Sequence, residues 1–305
     1  MASSHPLSAT SLFSLKDWVA VVTGGGTGTG LMIAQTLAAN GAKVYITGRR
    51  TDVLEASARI HGSPEKLGPL GGSIIPITMD VTSKDSIRKV AAEITEKEGF
   101  VNILVNNAGF YSGKLPLKAE DGPEAFSEAM LADSKEDSWQ KSFDVNCTSQ
   151  YFVTAAFLPL LAKSASSPIG KVGSVINNAS AGGLVRTSHN YQFAYNVSKA
   201  AFIHLTRQLA FEFSRDNINV RVNGLALGYF PSEMTVGESN DQNESTPEDE
   251  RFATFMKNSG IEKVKRMGTA QELASVILML ATNDYVWGTV SIVDGGAALT
   301  ISANM

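Results

Sequence analysis

The chain has 305 residues, a formal net charge of −4 at pH 7, 43% hydrophobic residues and 18% charged residues. This composition is typical of a globular protein with a large core, and the slight negative charge argues against a nucleic-acid partner. Cys147 is the only cysteine in the sequence, which excludes an intramolecular disulfide framework. The four histidines are scattered without metal-ligand spacing, so we expect no metal site.

The N-terminus is expected to be a flexible arm over residues 1–14. It is rich in serine and lacks the basic start and the long apolar stretch of a secretion signal. No apolar run in the sequence approaches the ~18 residues of a membrane helix. We therefore expect a cytoplasmic protein without a membrane partner.

Seven apolar segments rich in β-branched residues alternate with helical patterns. The predicted strands are Val19–Thr23, Lys43–Thr47, Ser73–Met79, Ile103–Asn106, Gly173–Asn178, Asn219–Leu225 and Val290–Val293. The helical patterns cover residues 28–40, 51–60, 83–98, 138–162, 193–214 and 270–281. This alternation predicts one α/β domain over residues 15–305, with a Rossmann-like, doubly wound, seven-stranded parallel sheet flanked by helices.

Two long segments, Phe110–Asp137 and Gly228–Lys263, interrupt the alternation. Loops of this length inside a compact domain are usually functional. Both follow predicted strands, which places them at the carboxyl edge of the sheet, where ligands bind in this architecture. We expect the second segment, about residues 228–263, to form a lid.

A glycine-rich loop, Thr23-Gly24-Gly25-Gly26-Thr27-Gly28-Thr29-Gly30, follows the first predicted strand and opens the first long helix. Glycines let the backbone turn tightly and approach a pyrophosphate, and the helix N-terminus supplies N–H donors. The spacing differs from the commonest dinucleotide fingerprint, so the prediction of nucleotide binding rests on the position between strand and helix. The alternative is a structural turn.

The second predicted strand is followed by Gly48-Arg49-Arg50, with no acid before Asp52. A site that prefers NAD usually places an acid here to bind the ribose 2′-hydroxyl, whereas arginine suits the 2′-phosphate of NADP. The sequence therefore favours NADP(H) over NAD(H). The alternative is that Arg49 and Arg50 are solvated loop charges.

Tyr195 and Lys199 are spaced to share one face of a predicted helix. A nearby ammonium lowers the pKa of a phenol from its usual value of about 10, so we expect Tyr195 to exchange protons with a carbonyl or alcohol oxygen. The pair alone is weak evidence, because a surface lysine beside a partly buried tyrosine has the same spacing.

Together these motifs resemble the short-chain dehydrogenase/reductase family, from about Leu15 to Leu299. The residues that carry the resemblance are the glycine-rich loop, Asp80-Val81, Asn106-Asn107-Ala108-Gly109, Asn146, Ser180, Tyr195, Lys199, Arg221-Val222-Asn223 and Val293-Asp294-Gly295-Gly296. Within the family the resemblance is greatest to reductases of 3-oxoacyl and secondary-metabolite carbonyls.

The resemblance implies a role for each matching residue. Tyr195 is the expected general acid in reduction, Lys199 lowers its pKa and holds the nicotinamide ribose, and Ser180 hydrogen-bonds the substrate oxygen. Asn146 is expected to hold a water that links Lys199 to solvent. The expected cofactor-binding residues are Gly24, Thr27, Gly28, Thr29, Gly30, Arg49, Asp80, Val81, Asn107, Ala108, Gly109, Tyr195, Lys199, Gly228 and Ser232.

The chain departs from the family pattern at a few positions. Ser180 precedes Tyr195 by 15 residues, slightly more than usual, and Leu227-Gly228 replaces the usual Pro-Gly. Thr29 stands where an apolar residue is usual. Thr27 stands where many NADP-preferring members have a basic residue, which weakens the NADP prediction.

The leading functional hypothesis is an NADP-dependent reductase or dehydrogenase acting on a ketone or secondary alcohol. Its substrate is expected to be a free small molecule or thioester, since the negative chain and acidic lid argue against an acidic carrier protein. The alternatives are a catalytically idle dinucleotide-binding sensor or scaffold, and an imine reductase or cyclase that uses the same pocket. Related enzymes pair through the helices at 138–162 and 193–214, so we expect a homodimer or homotetramer.

Overall fold

Seven parallel strands form one sheet in the order β3-β2-β1-β4-β5-β6-β7. A computed structural model of the chain describes residues 5–132, 138–188, 191–245 and 266–300. The strands β1 to β7 are Val19–Thr23, Lys43–Gly48, Ser73–Thr78, Ile103–Asn106, Gly173–Asn178, Val220–Leu227 and Val290–Val293. The predicted seven-stranded, doubly wound parallel sheet is confirmed.

Helices cover both faces of this sheet. Within the described ranges, the helices α1 to α12 are Ala9–Leu12, Gly28–Ala39, Thr51–His61, Pro64–Leu67, Lys84–Glu98, Pro123–Leu131, Ser138–Phe143, Ser149–Ala162, Phe193–Phe213, Glu233–Val236, Ala270–Thr282 and Ala297–Thr300. No helix in this part of the chain is both long enough and apolar enough to cross a membrane.

The core has two layers, because alternate residues of each strand point to opposite faces. On one face, Val22 of β1 belongs to an apolar cluster with Leu37 of α2 and Ile277 of α11. On the other face, Val21 belongs to a cluster with Phe157 of α8. Every residue of β1, β4, β5 and β6 is buried, as expected for strands of a parallel sheet that is covered on both faces.

Several predicted boundaries were wrong for local reasons. Strand β6 begins at Val220 because Asn219 has a φ of 51°, in the left-handed region that strands do not use. The predicted helix 138–162 is divided by a π-helical turn over Asp144–Thr148. The predicted loop 110–137 contains the helix α6, which buries none of its residues.

The ends of the chain and the lid are described only in part. The predicted N-terminal arm contains the single-turn helix α1, which is capped by the Ser8 side chain. The predicted lid contains the single-turn helix α10, and residues 246–263 of the lid lie outside the described residues. The division into an arm and one catalytic domain stays a prediction.

The strand order reverses between β1 and β4, which lie side by side. In open parallel sheets the crevice beyond the carboxyl ends of such strands is where ligands bind. The glycine-rich loop follows β1, and Asn107-Ala108-Gly109 follows β4, so the sheet brings both predicted cofactor segments to this crevice.

Candidate active site

A cleft of about 570 Å³ opens at the carboxyl edge of the sheet. It is lined by residues from the glycine-rich loop, the end of β2, the ends of β4 and β5, helix α9 and the segment after β6. Of the predicted site residues, those that line the cleft are Gly24, Thr27, Gly28, Thr29, Arg49, Asp80, Val81, Asn107, Ala108, Gly109, Ser180, Tyr195, Lys199, Gly228 and Ser232. Gly30 and Asn146 are not among the residues that line it.

Two glycines of the glycine-rich loop occupy positions where a side chain would be strained or would clash. Gly28 has a φ of 53°, which an L side chain rarely adopts. A Cβ on Gly30 would stand 2.1 Å from the carbonyl oxygen of Gly24, so the helix could not pack against the loop. The loop therefore presents its backbone to the cleft at the start of α2, which fits a pyrophosphate.

Asn107 holds this loop in place with its side chain. Its Nδ2 donates to the carbonyl oxygens of Thr23, at 2.8 Å, and Gly24, at 3.2 Å. Its Oδ1 accepts from the hydroxyl of Thr29, at 3.0 Å, and from Nδ2 of Asn178, at 2.8 Å. The amide of Asn107 is thus fully hydrogen-bonded within the protein. The unusual Thr29 makes one of these hydrogen bonds, which an apolar residue at this position could not make.

Lys199 extends this network to the predicted catalytic helix. Its Nζ donates to the carbonyl oxygen of Asn178 at 3.1 Å, and the residue is only 4% exposed. Burial disfavours the ammonium and lowers the pKa of Lys199 to about 8, against a smaller opposing effect of Cys147. Lys199 therefore lines the cleft and loses its proton more readily than an exposed lysine does.

Tyr195 lies on the same face of α9, with its ring centroid 5.8 Å from the Nζ of Lys199. The prediction that its pKa is lowered was wrong for this structure. Burial raises the pKa of the phenol, a hydrogen bond with Ser180 lowers it, and Tyr111 raises it. Burial of the phenol outweighs the lowering effect of Ser180, so Tyr195 keeps its proton at neutral pH.

Ser180 and Tyr111 contact Tyr195 from different elements. Ser180 follows β5, and its Oγ accepts from the backbone N–H of Gly182 at 3.1 Å, which orients the hydroxyl at the cleft. Tyr111 meets the Tyr195 ring edge to face, with the centroids 5.7 Å apart. Tyr111 was missed in the sequence, and its place just after Gly109 at the end of β4 is the signal that could have found it.

Asn146 lies in the π-helical turn and is fully buried. Its Oδ1 accepts from the backbone N–H of Phe110 at 2.7 Å, and its Nδ2 donates to the Phe110 carbonyl and to the hydroxyl of Ser198, both at 2.9 Å. Both N–H groups are used, which leaves the second lone pair of Oδ1 as the part of the amide that could accept from water. π-turns of this kind are frequent at functional sites.

Several charged residues line the cleft near the ends of β2 and β3. Burial raises the pKa of Asp80, but hydrogen bonds from Thr82 and the positive charge of Arg49 outweigh it, so the pKa lies below its ordinary value. Arg50 forms two hydrogen bonds with Glu233, at 3.2 and 2.9 Å. Arg49 and Arg50 thus both line the cleft beside acids, and the contact with Glu233 was not predicted.

Comparison with known proteins agrees with this architecture. A family model described as short chain dehydrogenase matches residues 18–243. The short-chain dehydrogenase/reductase PhomF of Diaporthe leptostromiformis is 36% identical over 302 residues, which span 95% of this chain and 94% of that protein. The rhamnolipids biosynthesis 3-oxoacyl-[acyl-carrier-protein] reductase of Pseudomonas aeruginosa is 32% identical over 287 residues, which span 93% of this chain and 97% of that protein.

A solved structure has the same fold. The NADP active-site complex of RhlG from Pseudomonas aeruginosa superposes with a TM-score of 0.74 and 30% identity, and covers 94% of this chain and 98% of that one. Sequence similarity and fold similarity both extend over most of the chain, and the protein is a member of the short-chain dehydrogenase/reductase family of oxidoreductases.

Proposed function

We propose that this protein is an NADP-dependent carbonyl reductase that transfers a hydride between the nicotinamide and a ketone or secondary alcohol. The observation that carries the proposal is the placement of Ser180, Tyr195 and Lys199 in one cleft with the glycine-rich loop. The cofactor supplies the hydride when it is bound. The chain supplies the donors that stabilise the negative charge that develops on the substrate oxygen.

The expected roles of the three residues follow from their environment. Tyr195 carries its proton at neutral pH because burial raises its pKa, so it is ready to donate to the substrate oxygen. Ser180 is held beside that phenol and offers a second donor to the same oxygen. Lys199 is expected to bind the nicotinamide ribose and to stabilise the negative charge of Tyr195 after the phenol has donated its proton to the substrate.

The choice of NADP rests on the end of β2. Arg49 and Arg50 line the cleft there, and an arginine matches the geometry of a phosphate. RhlG, a solved relative, is described in complex with NADP. The substrate is proposed to be a 3-oxoacyl or secondary-metabolite ketone, which is supported by the name of the Pseudomonas aeruginosa relative.

We expect Tyr195→Phe to lower kcat for ketone reduction by about 10³-fold, because the proton donor is lost while the ring remains. The measurement is the loss of NADPH absorbance across a panel of ketones and 3-oxoacyl thioesters. Tyr285→Phe, at a position that is 97% exposed, is the matched control and should keep full activity.

A Tyr195→Phe variant with more than a tenth of the wild-type rate would contradict the assignment. A wild-type protein that binds NADPH yet reduces no carbonyl would favour the idle sensor or scaffold. Product analysis with imine substrates would identify an imine reductase or cyclase.

We expect Lys199→Met to be inactive yet more stable than the wild type at pH 7. A pKa of about 8 in the folded protein, against 10.5 ordinarily, corresponds to about 3 kcal/mol of cost for holding the ammonium in the interior. Because Asn178 loses a partner in the variant, the expected net gain in the free energy of unfolding is about 1–3 kcal/mol.

The sign of the pH dependence is fixed by the lowered pKa. Above the unfolded pKa of 10.5 the lysine is neutral in both states, so the cost of burying the ammonium is absent and the wild type has its full stability. This stability is lost as the pH falls through the folded pKa of about 8, below which the full cost is present. The advantage of Lys199→Met should therefore shrink as the pH rises from 8 to 10.5, in urea unfolding at several pH values. The exposed substitution Lys89→Met should show no such trend, and the same trend in both variants would refute the account.

We expect Arg49→Gln to raise the Kd of NADPH by about tenfold or more and to change that of NADH less than twofold, because a charge-assisted hydrogen bond to the 2′-phosphate is lost. Fluorescence titration measures both constants. Arg59→Gln makes the same charge change at an exposed position of α3 and serves as the control. An equal rise in the Kd of NADPH and of NADH in Arg49→Gln would exclude a role for Arg49 in recognising the 2′-phosphate.

We further propose that the chain forms a homodimer or homotetramer through the outer faces of α8 and α9. A groove there is lined by Tyr151, Leu205 and Phe211, and Phe211 is 73% exposed. An exposed apolar patch of this kind is typical of a protein interface.

We expect Phe211→Glu to shift the sedimentation coefficient to that of a monomer, because the charge cannot be buried in an apolar interface. Tyr285→Glu, at another exposed aromatic position, should leave the assembly unchanged. A wild-type protein that sediments as a monomer at micromolar concentration would contradict the proposed interface.

A further inference from the structure

Arg50 and Glu233 form an ion pair between two segments that both line the cleft. Arg50 follows β2, and Glu233 is the first residue of α10, after β6. The guanidinium and the carboxylate are joined at two points, at 3.2 and 2.9 Å, which is the fork-like geometry that arginine also uses for phosphate. Glu233 therefore occupies the donors that a phosphate at this end of the cleft would use.

The position of Glu233 is set by the residue before it. A Cβ on Gly28 would stand 2.9 Å from the Cβ of Ser232, so the segment after β6 lies directly against the glycine-rich loop. The hydroxyl of Thr235 accepts from the backbone N–H of Ser232 at 2.9 Å and donates to the carbonyl of Phe230 at 2.7 Å, which fixes the start of α10. The carboxylate of Glu233 is thus held over the end of β2.

The chain beyond α10 is attached to the helix that follows Arg50. Nδ2 of Asn243 donates to the hydroxyl of Ser57 at 2.8 Å, and Nε2 of His61 lies 2.7 Å from the carbonyl oxygen of Gln242. Both partners, Ser57 and His61, are buried residues of α3. Glu233 lies on a segment that contacts the glycine-rich loop on one side and α3 on the other, so Arg50 meets it in a defined geometry.

The pair is partly exposed, with 56% of the Arg50 side chain and 36% of the Glu233 side chain accessible. Exposed pairs of this kind change an equilibrium constant by no more than about fivefold. A phosphate that carries up to two negative charges can therefore displace the carboxylate, but at a measurable loss of affinity.

We propose that Glu233 is a specificity-determining residue whose carboxylate competes with the 2′-phosphate of NADP(H) for Arg50. The inference rests on the proposed use of NADP(H). Arg49 is left to bind the phosphate first, and Arg50 joins it only when its pair with Glu233 breaks. NAD(H), which has a 2′-hydroxyl instead, does not compete with Glu233 for Arg50. The carboxylate therefore weakens the binding of NADP(H) only and reduces the difference in affinity between the two cofactors.

The test is the affinity of the full chain for NADPH and NADH, measured by fluorescence titration in wild type, Glu233→Gln, Arg50→Gln and the double variant. Glu233→Gln should lower the Kd of NADPH about two- to fivefold and leave that of NADH unchanged. In the Arg50→Gln background the same substitution should have a smaller effect. Glu238→Gln, an exposed acid that does not line the cleft, makes the same charge change and should alter neither Kd.

An unchanged or higher Kd of NADPH in Glu233→Gln would overturn the inference. Equal changes for both cofactors would overturn it as well, because Glu233 would then only position the segment after β6. A gain that is the same with and without Arg50 would show a general charge effect instead of competition. A wild type that binds NADH as tightly as NADPH would refute the proposed cofactor, a failure that is seen before any variant is measured.

Discussion

The hydrogen bond from Lys199 to the carbonyl oxygen of Asn178 is the contact on which the arrangement of the site depends. It places an ammonium in the interior, at the carboxyl end of β5, where a charge is costly. Asn178 in turn donates to Asn107, and Asn107 holds the glycine-rich loop. One connected set of hydrogen bonds therefore joins the predicted catalytic helix to the predicted cofactor loop.

The sheet makes this connection possible because β1, β4 and β5 are adjacent and parallel, so that their carboxyl ends meet. Asn107 and Asn178 are 71 residues apart in the chain but lie at the carboxyl ends of the neighbouring strands β4 and β5. Apolar contacts on both faces hold the strands in place, and the polar residues at their carboxyl ends line the cleft. The separation of roles between core and edge is a general property of this architecture.

Much of the fold could be predicted from the sequence, because short segments rich in apolar and β-branched residues alternate with helical patterns. The predicted residues of the cleft could be found because they follow such strands or share one face of α9, whereas lining residues such as Glu233 were missed. The raised pKa of Tyr195 could not be predicted from its spacing to Lys199, since burial is a tertiary property that the spacing does not contain. The pair between Arg50 and Glu233 joins residues 183 positions apart, and the π-turn around Asn146 depends on contacts with Phe110.

We propose that the cleft brings a carbonyl carbon to the hydride of NADPH, with Tyr195 as the proton donor. The most direct measurement uses NADPH that carries deuterium at both C4 positions of the nicotinamide, with a panel of 3-oxoacyl thioesters and cyclic ketones. We expect the wild type, but not Tyr195→Phe, to form an alcohol with deuterium on the carbinol carbon. Alcohol without deuterium at that carbon, or no alcohol from any carbonyl while NADPH remains bound, would contradict it.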